Sequence, residues 1–196
     1  MPASPLIVLE RAVLLHRLLD RAAVPHALGG ALALAYHVAQ ARATSDIDLN
    51  VTADPDDPAA VLSLLPAGLP WDARDVATVR TTGQVRLRWP HPDRGPPIPV
   101  DLFFPQHPFH DLVASRTELV RMLDDTVPIL SATDLLVFKA LFDRRKDWAD
   151  IEELLRHGSA DAHEAADLIA GIVGADDVRL SKLAEIVEEV ADGALS

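Results

Sequence analysis

Two aspartates flanking a single isoleucine, Asp46-Ile47-Asp48, follow a pair of adjacent glycines, Gly29-Gly30, after a stretch long enough for one short helix. In an extended strand successive side chains point to opposite faces. Asp46, Asp48 and Asn50 therefore share one face, while Ile47, Leu49 and Val51 share the other and point into a core. Two carboxylates standing side by side repel each other. A divalent cation between them removes that penalty and uses the hard oxygen ligands that Mg²⁺ (or Mn²⁺) prefers. The glycines supply the complementary half of such a site. A Gly-Gly turn leading into a helix lets backbone N–H groups approach a phosphate with no side chain in the way, and the helix N-terminus favours the anion. A third acid, Asp101, lies in "IPVDLFF" between apolar residues of a predicted strand, where a lone carboxylate is costly unless it faces a site. Three carboxylates from two neighbouring strands can hold two Mg²⁺ ions, one activating an attacking hydroxyl and one neutralising a triphosphate.

The elements that must position these residues can be read from periodicity. "PLIVLERAVLLHRLLDRAA" carries apolar residues at helical spacing and predicts an amphipathic helix over about residues 6 to 23. After the glycines, the alanine-rich "ALALAYHVAQA" predicts a short, closely packed helix, and "SDIDLNV" a half-buried strand. "DPDDPAAVLSLLP" predicts a helix with proline in its first turn. "VATVRTTGQVRLRW" reads as two strands around a Thr-Gly turn, and "PIPVDLFF" as a further strand. From Ser131 the pattern is helical. "SATDLLVFKALFDRRKDWADIEELLRHG" starts on a Ser or Thr cap and stops at Gly158, and helices near 161–173 and 178–192 follow. The expected fold class is α+β: a small mixed sheet with flanking helices over residues 1–130, then a helical region over 131–196.

Composition bounds the function. A chain of 196 residues with 49% apolar content can bury a sizeable core. It has no cysteine, so disulfides, thiol nucleophiles and Cys-ligated zinc are excluded. The start "MPASPLIVLERAVLL" lacks a basic n-region and an A-x-A-type site, and no apolar run reaches the length of a membrane span, so the expectation is a soluble, cytoplasmic protein with no membrane partner. A formal charge of −12 argues against unspecific binding to duplex nucleic acid while leaving room for a local basic strip. The histidines at 37, 91, 107, 110 and 157 show no zinc-binding spacing.

"LGGALALAYHVAQARATSDIDLNV" resembles the Gly-Gly (or Gly-Ser) helix and D-x-D signature of the DNA polymerase β-type nucleotidyltransferase superfamily, and its spelling is closest to the AbiEii-like branch, which includes toxins of type IV toxin–antitoxin systems. The resemblance continues through Asp101 and "DLLVFKALFDRRKDWADIEELL", and so touches residues 26 to 156. It implies transfer of a nucleoside monophosphate from an NTP such as ATP to a hydroxyl acceptor, with Mg²⁺ and release of pyrophosphate. It further implies that Asp46, Asp48 and Asp101 are the catalytic and metal-binding acids, and that Gly29, Gly30, Arg42, Thr44 and Lys139 serve the triphosphate or position the acids. Many relatives carry Ser after the first glycine; here Gly30 leaves only the backbone.

Other readings of the same residues stay open. Lys139 and Asp143 are four apart on one helix and could be a simple ion pair. The protein could be a non-catalytic nucleotide- or partner-binding module on this fold, or a transferase acting on small molecules such as antibiotics. The acceptor could equally be an RNA 3′ end, as in tRNA, or a protein, and a toxin would require a cognate antitoxin. For RNA, Arg86 and Arg88 share one strand face, and Arg80 on a partner strand would extend them into a basic strip.

Overall fold

The computed structural model describes residues 5–39, 44–93 and 95–193. Its elements, in chain order, are α1 (Pro5–Arg21), β1 (His26–Leu28), α2 (Gly30–His37), β2 (Ile47–Val51), α3 (Pro58–Leu62), α4 (Ala73–Thr82), β3 (Gln84–Trp89), β4 (Ile98–Phe103), α5 (Phe109–Ser115), β5 (Glu118–Met122), β6 (Asp125–Ile129), α6 (Ala132–Phe142), α7 (Arg145–Arg156), α8 (Ala162–Val173) and α9 (Val178–Gly193). The fold is α+β. The chain divides into two compact units, Met1–Leu32 with Arg42–Ile129, and Ala33–Ala41 with Leu130–Ser196. One boundary between the units falls at Ile129–Leu130, and residues 33–41 group with the C-terminal helices. Among the described residues no helix is long and apolar enough to cross a membrane.

The first unit is built on a mixed six-stranded sheet ordered β3-β4-β2-β1-β6-β5. β2 runs parallel to β4 and β1 parallel to β6, and the remaining pairs are antiparallel. The alternation that predicted β2 is realised: Ile47, Leu49 and Val51 are buried. β3 alternates strictly, burying Val85, Leu87 and Trp89 while Gln84, Arg86 and Arg88 face out. Helix α1 buries Val8, Ala12, Leu15 and Leu19 and ties into strands far apart in the sheet. Its Arg11 lies 4.6 Å from the Trp89 ring centroid, and its Arg17 donates to both Asp125 oxygens at 3.0 and 2.5 Å.

The stretch read as two strands is instead helix α4 followed by the single strand β3. Its β-branched residues suggested strand, but the caps decide otherwise. Asp72 Oδ1 accepts from the N–H groups of Arg74 and Asp75 at 2.7 and 3.3 Å, while Asp75 Oδ2 accepts from Asp72 N–H at 2.8 Å. Gly83, with φ at +70°, closes the other end, its N–H donating to the Val79 carbonyl at 2.7 Å. Thr78, Thr81 and Thr82 donate their hydroxyls to carbonyls one turn back, at 2.8, 2.8 and 2.9 Å, so these residues are accommodated in a helix after all. Arg80 therefore does not extend Arg86 and Arg88 across a hairpin; its Nε donates to the Asp56 carbonyl at 2.9 Å.

In the second unit α6 is buried nearly all round and packs against α7, α8 and α9. Ser131 caps it by accepting from Asp134 N–H at 3.2 Å. The single long helix expected from Ser131 to Gly158 is broken at Asp143, whose φ of +52° ends α6 before α7 begins. The Asp143 carboxylate accepts from Lys182 Nζ and Trp148 Nε1, each at 2.7 Å, and the Lys182 bond, then the Trp148 bond, hold its pKa below the ordinary value. His37, at the end of α2, pairs its Nε2 with the Leu130 carbonyl at 2.8 Å.

The capping box makes Asp72 the residue on which α4 starts. Asp72→Ala should lower the unfolding free energy by about 1 kcal/mol in a urea titration. An unchanged midpoint and slope would mean that the cap contributes nothing.

Candidate active site

All three candidate acids fall in the first unit. The parallel register of β2 on β4 sets Asp48 directly beside Asp101, and the antiparallel register of β3 on β4 sets Arg86 on the other side of Asp101. An acid, an acid and a guanidinium thus stand in one row across three adjacent strands. Asp46 precedes the strand and is held by Thr44, whose hydroxyl donates to Asp46 Oδ1 at 2.7 Å. The hydroxyl also lies 3.4 Å from Asp46 N–H, so Thr44 fixes both the backbone and the carboxylate of that acid. Arg42 lies outside the described residues.

The glycines meet Asp48 directly. Gly29 N–H donates to the Asp48 carbonyl at 2.9 Å, extending the β1–β2 pairing to the mouth of α2. Gly30 then starts the helix at φ +55°. A Cβ on Gly30 would fall 1.7 Å from Asp48 Oδ2 and 2.5 Å from Asp48 Cγ. No residue with a side chain fits there while Asp48 keeps its place. The Gly29 N–H is spent on the strand, so the donors left for an anion are those of the first turn of α2.

Charge in the row is partly compensated. Arg86 Nε donates to Asp101 Oδ1 at 2.7 Å and Nη2 to Oδ2 at 2.6 Å, a two-pronged pair. The hydrogen bonds to Asp101, then its charge, raise the Arg86 pKa, and Asp46 and Asp48 add to the same field. One guanidinium therefore senses all three acids. The sequence puts Arg86 on a basic face for an RNA acceptor beside the strand of Asp101; its register opposite Asp101 makes it a member of the acid cluster. Asn50 shares the strand face of Asp48, is 9% exposed, and its buried Oδ1 has no hydrogen-bond partner among the described residues.

Lys139 lies in the second unit, buried on α6. Its Nζ donates to Asp150 Oδ2 at 2.7 Å and is 3.9 Å from Asp147 Oδ1. Asp147 is held in turn by Arg144, from Nε at 2.5 Å and Nη2 at 3.1 Å. The simple pair of Lys139 with Asp143 is not formed; Lys139 bridges α6 to α7, and Asp143 takes Lys182.

The chemistry of the donor set fits a hard divalent cation. Asp46, Asp48 and Asp101 offer only carboxylate oxygens, two of them on directly paired residues. Among the described residues no three His, Asp or Glu side chains are already gathered to hold an ion, and Asp101 directs both oxygens to Arg86.

Residues 13–194 match the family model described as nucleotidyl transferase AbiEii toxin, type IV TA system. The chain belongs to the AbiEii family. It is accordingly an NTP-dependent nucleotidyltransferase. No curated protein matches the sequence. Among solved structures, this AbiEii-family chain is similar to an antigenic nucleotidyltransferase-like protein from Paracoccidioides brasiliensis, at 19% identity and a TM-score of 0.55, with 93% of this chain and 94% of that one covered. It is also similar to JHP933 from Helicobacter pylori, at 15% identity and a TM-score of 0.50, with 98% and 94% covered. At such identities the likeness speaks to the fold, and the α+β architecture with a mixed sheet agrees with it.

The Gly30–Asp48 contact yields a sharp expectation for the AbiEii-family site. Gly30→Ala should cost about 1–2 kcal/mol of stability from the left-handed backbone alone. It should also abolish nucleotide transfer, because the methyl group displaces the Asp48 carboxylate. A Gly30→Ala protein that keeps wild-type turnover would show that Asp48 need not sit against α2.

Proposed function

We propose that this chain moves a nucleoside monophosphate from an NTP to a hydroxyl on a macromolecule, in a Mg²⁺-dependent in-line displacement, and that it does so as the toxin of a toxin–antitoxin pair restrained by a cognate antitoxin. The observation that carries the reading is the register of Asp48 beside Asp101 with the Gly29-Gly30 helix start fastened to Asp48. Membership of the AbiEii family supports the toxin role.

Asp46, Asp48 and Asp101 would hold the cation, which when bound supplies charge neutralisation at the triphosphate and lowers the pKa of a coordinated hydroxyl. Thr44 keeps Asp46 in place through the bond to its carboxylate. The first turn of α2 receives phosphate oxygens on its N–H groups, with Gly30 contributing no atom that would stand in the way. Asp101 orients the acceptor hydroxyl and takes its proton as the hydroxyl oxygen attacks the α-phosphorus; the bond from that phosphorus to the oxygen bridging to the β-phosphate breaks, and pyrophosphate leaves with the electron pair. Lys139 is paired with Asp150, and its contribution is to hold α6 on α7.

The acceptor is a hydroxyl of an RNA 3′ end or of a protein. Incubation with each labelled NTP and Mg²⁺, alone and with total tRNA, followed by gel separation, tests this directly. Label should appear in tRNA with the wild-type chain, and Asp46→Asn, Asp48→Asn and Asp101→Asn should each lose it while keeping the wild-type circular dichroism spectrum. Label in the protein itself would transfer the reading to a protein hydroxyl. Label in neither, with a small hydroxylated antibiotic labelled instead, would replace the macromolecular acceptor by a small molecule. Full transfer by the Asp48→Asn chain would refute the assignment of the acids.

A further inference from the structure

The Arg86–Asp101 pair is not absorbed by the reading above, and it is in tension with it: a carboxylate needed for a cation already has one. We propose that Arg86 is a resident counter-ion that closes the Asp101 part of the cation site in the ion-free protein and must let go of Asp101 before that residue can coordinate a metal. The inference rests on the assignment of Asp46, Asp48 and Asp101 to a divalent cation.

The backbone forces the encounter. Asp101 and Arg86 are directly opposed on antiparallel strands, and on the other side of Asp101 stands Asp48. Without a cation, neighbouring carboxylates on paired strands repel, and Arg86 is the compensating charge within the row. Its two N–H groups engage both oxygens of Asp101, so no Asp101 oxygen is left without a donor.

Exposure decides which partner moves. The Asp101 side chain is 11% exposed and belongs to a strand paired on both sides, whereas the Arg86 side chain is 54% exposed on the edge strand β3. Arg86 can swing into water at little cost; Asp101 cannot follow it. The trigger is electrostatic. Asp46 and Asp48 both add to the field that holds the guanidinium. A divalent ion bound to those two acids cancels that field and repels Arg86. A cation held by Asp46 and Asp48 would thus favour release of Asp101 by Arg86, so that Asp101 joins them as a ligand.

Mn²⁺ binding to the full chain without nucleotide, followed by the electron paramagnetic resonance signal of the free ion, tests this apart from turnover. Arg86→Gln should bind Mn²⁺ about fivefold more tightly than wild type, the factor expected for removing a competing, partly exposed ion pair. Arg86→Lys keeps the charge but loses the two-pronged fit, and should also bind more tightly, by a smaller factor. In the Asp101→Asn background Arg86→Lys, which keeps the charge, should leave Mn²⁺ affinity within about twofold, and the gain from Arg86→Gln should shrink to the through-space effect of its charge on Asp46 and Asp48, because the competition is for Asp101 itself. Unchanged affinity in Arg86→Gln, or a gain that persists undiminished in Asp101→Asn, would overturn the proposal. Asp48→Asn separates the two failures. If wild type and Asp48→Asn bind Mn²⁺ alike, the cation assignment of the acids is wrong; if Asp48→Asn loses binding while Arg86→Gln matches wild type, only the counter-ion role is.

Discussion

The site depends on one contact in which there is no room for a methyl group. Asp48 reaches over the start of α2 so closely that a Cβ on Gly30 would overlap its carboxylate, and Gly29 N–H binds the carbonyl of the same aspartate. Helix start and strand acid are therefore set as one piece. Anything bound at the N–H groups of α2 lies beside Asp48, and anything bound to Asp48 lies beside those N–H groups. The sheet then adds the rest by register, with Asp101 on the next strand and Arg86 on the one after.

A chain with a formal charge of −12 still brings several of its acids together, and each unit deals with the resulting repulsion by an internal cation. In the sheet unit Arg86 serves Asp101; in the helical unit the buried Lys139 lies among Asp147 and Asp150, with Arg144 on the far side of Asp147. The two arrangements differ in a way that bears on function. Lys139 is 5% exposed and bridges two helices, as befits a structural bond that stays closed, whereas the exposed Arg86 sits on an edge strand from which it can leave. Buried ion pairs hold position because breaking them strands a charge; exposed ones exchange readily.

The sequence signals that single out the candidate acids are short-range. Period two alone puts Asp48 opposite the buried Ile47 and Leu49, and the apolar flanks of Asp101 mark a strand acid. What was misread depends on partners distant in the chain or on end effects. The β-branched content of residues 76–82 suggests a strand, and the Asp72–Asp75 box with Gly83 overrides it, which moves Arg80 to a helix. The β5–β6 hairpin escaped notice because Leu119 is exposed and Pro128 interrupts the strand pattern. The break at Asp143 needed the tertiary bonds from Lys182 and Trp148, which no local pattern announces.

The central claim is spatial: Asp48 is where the helix start, the metal and the nucleotide meet. Anomalous diffraction from crystals grown with Mn²⁺ and a non-hydrolysable NTP analogue addresses it most directly. The account predicts an anomalous peak bonded to carboxylate oxygens of Asp46 and Asp48, with the triphosphate at the first turn of α2. A peak bonded to neither acid, with the analogue bound away from Gly30, would contradict it.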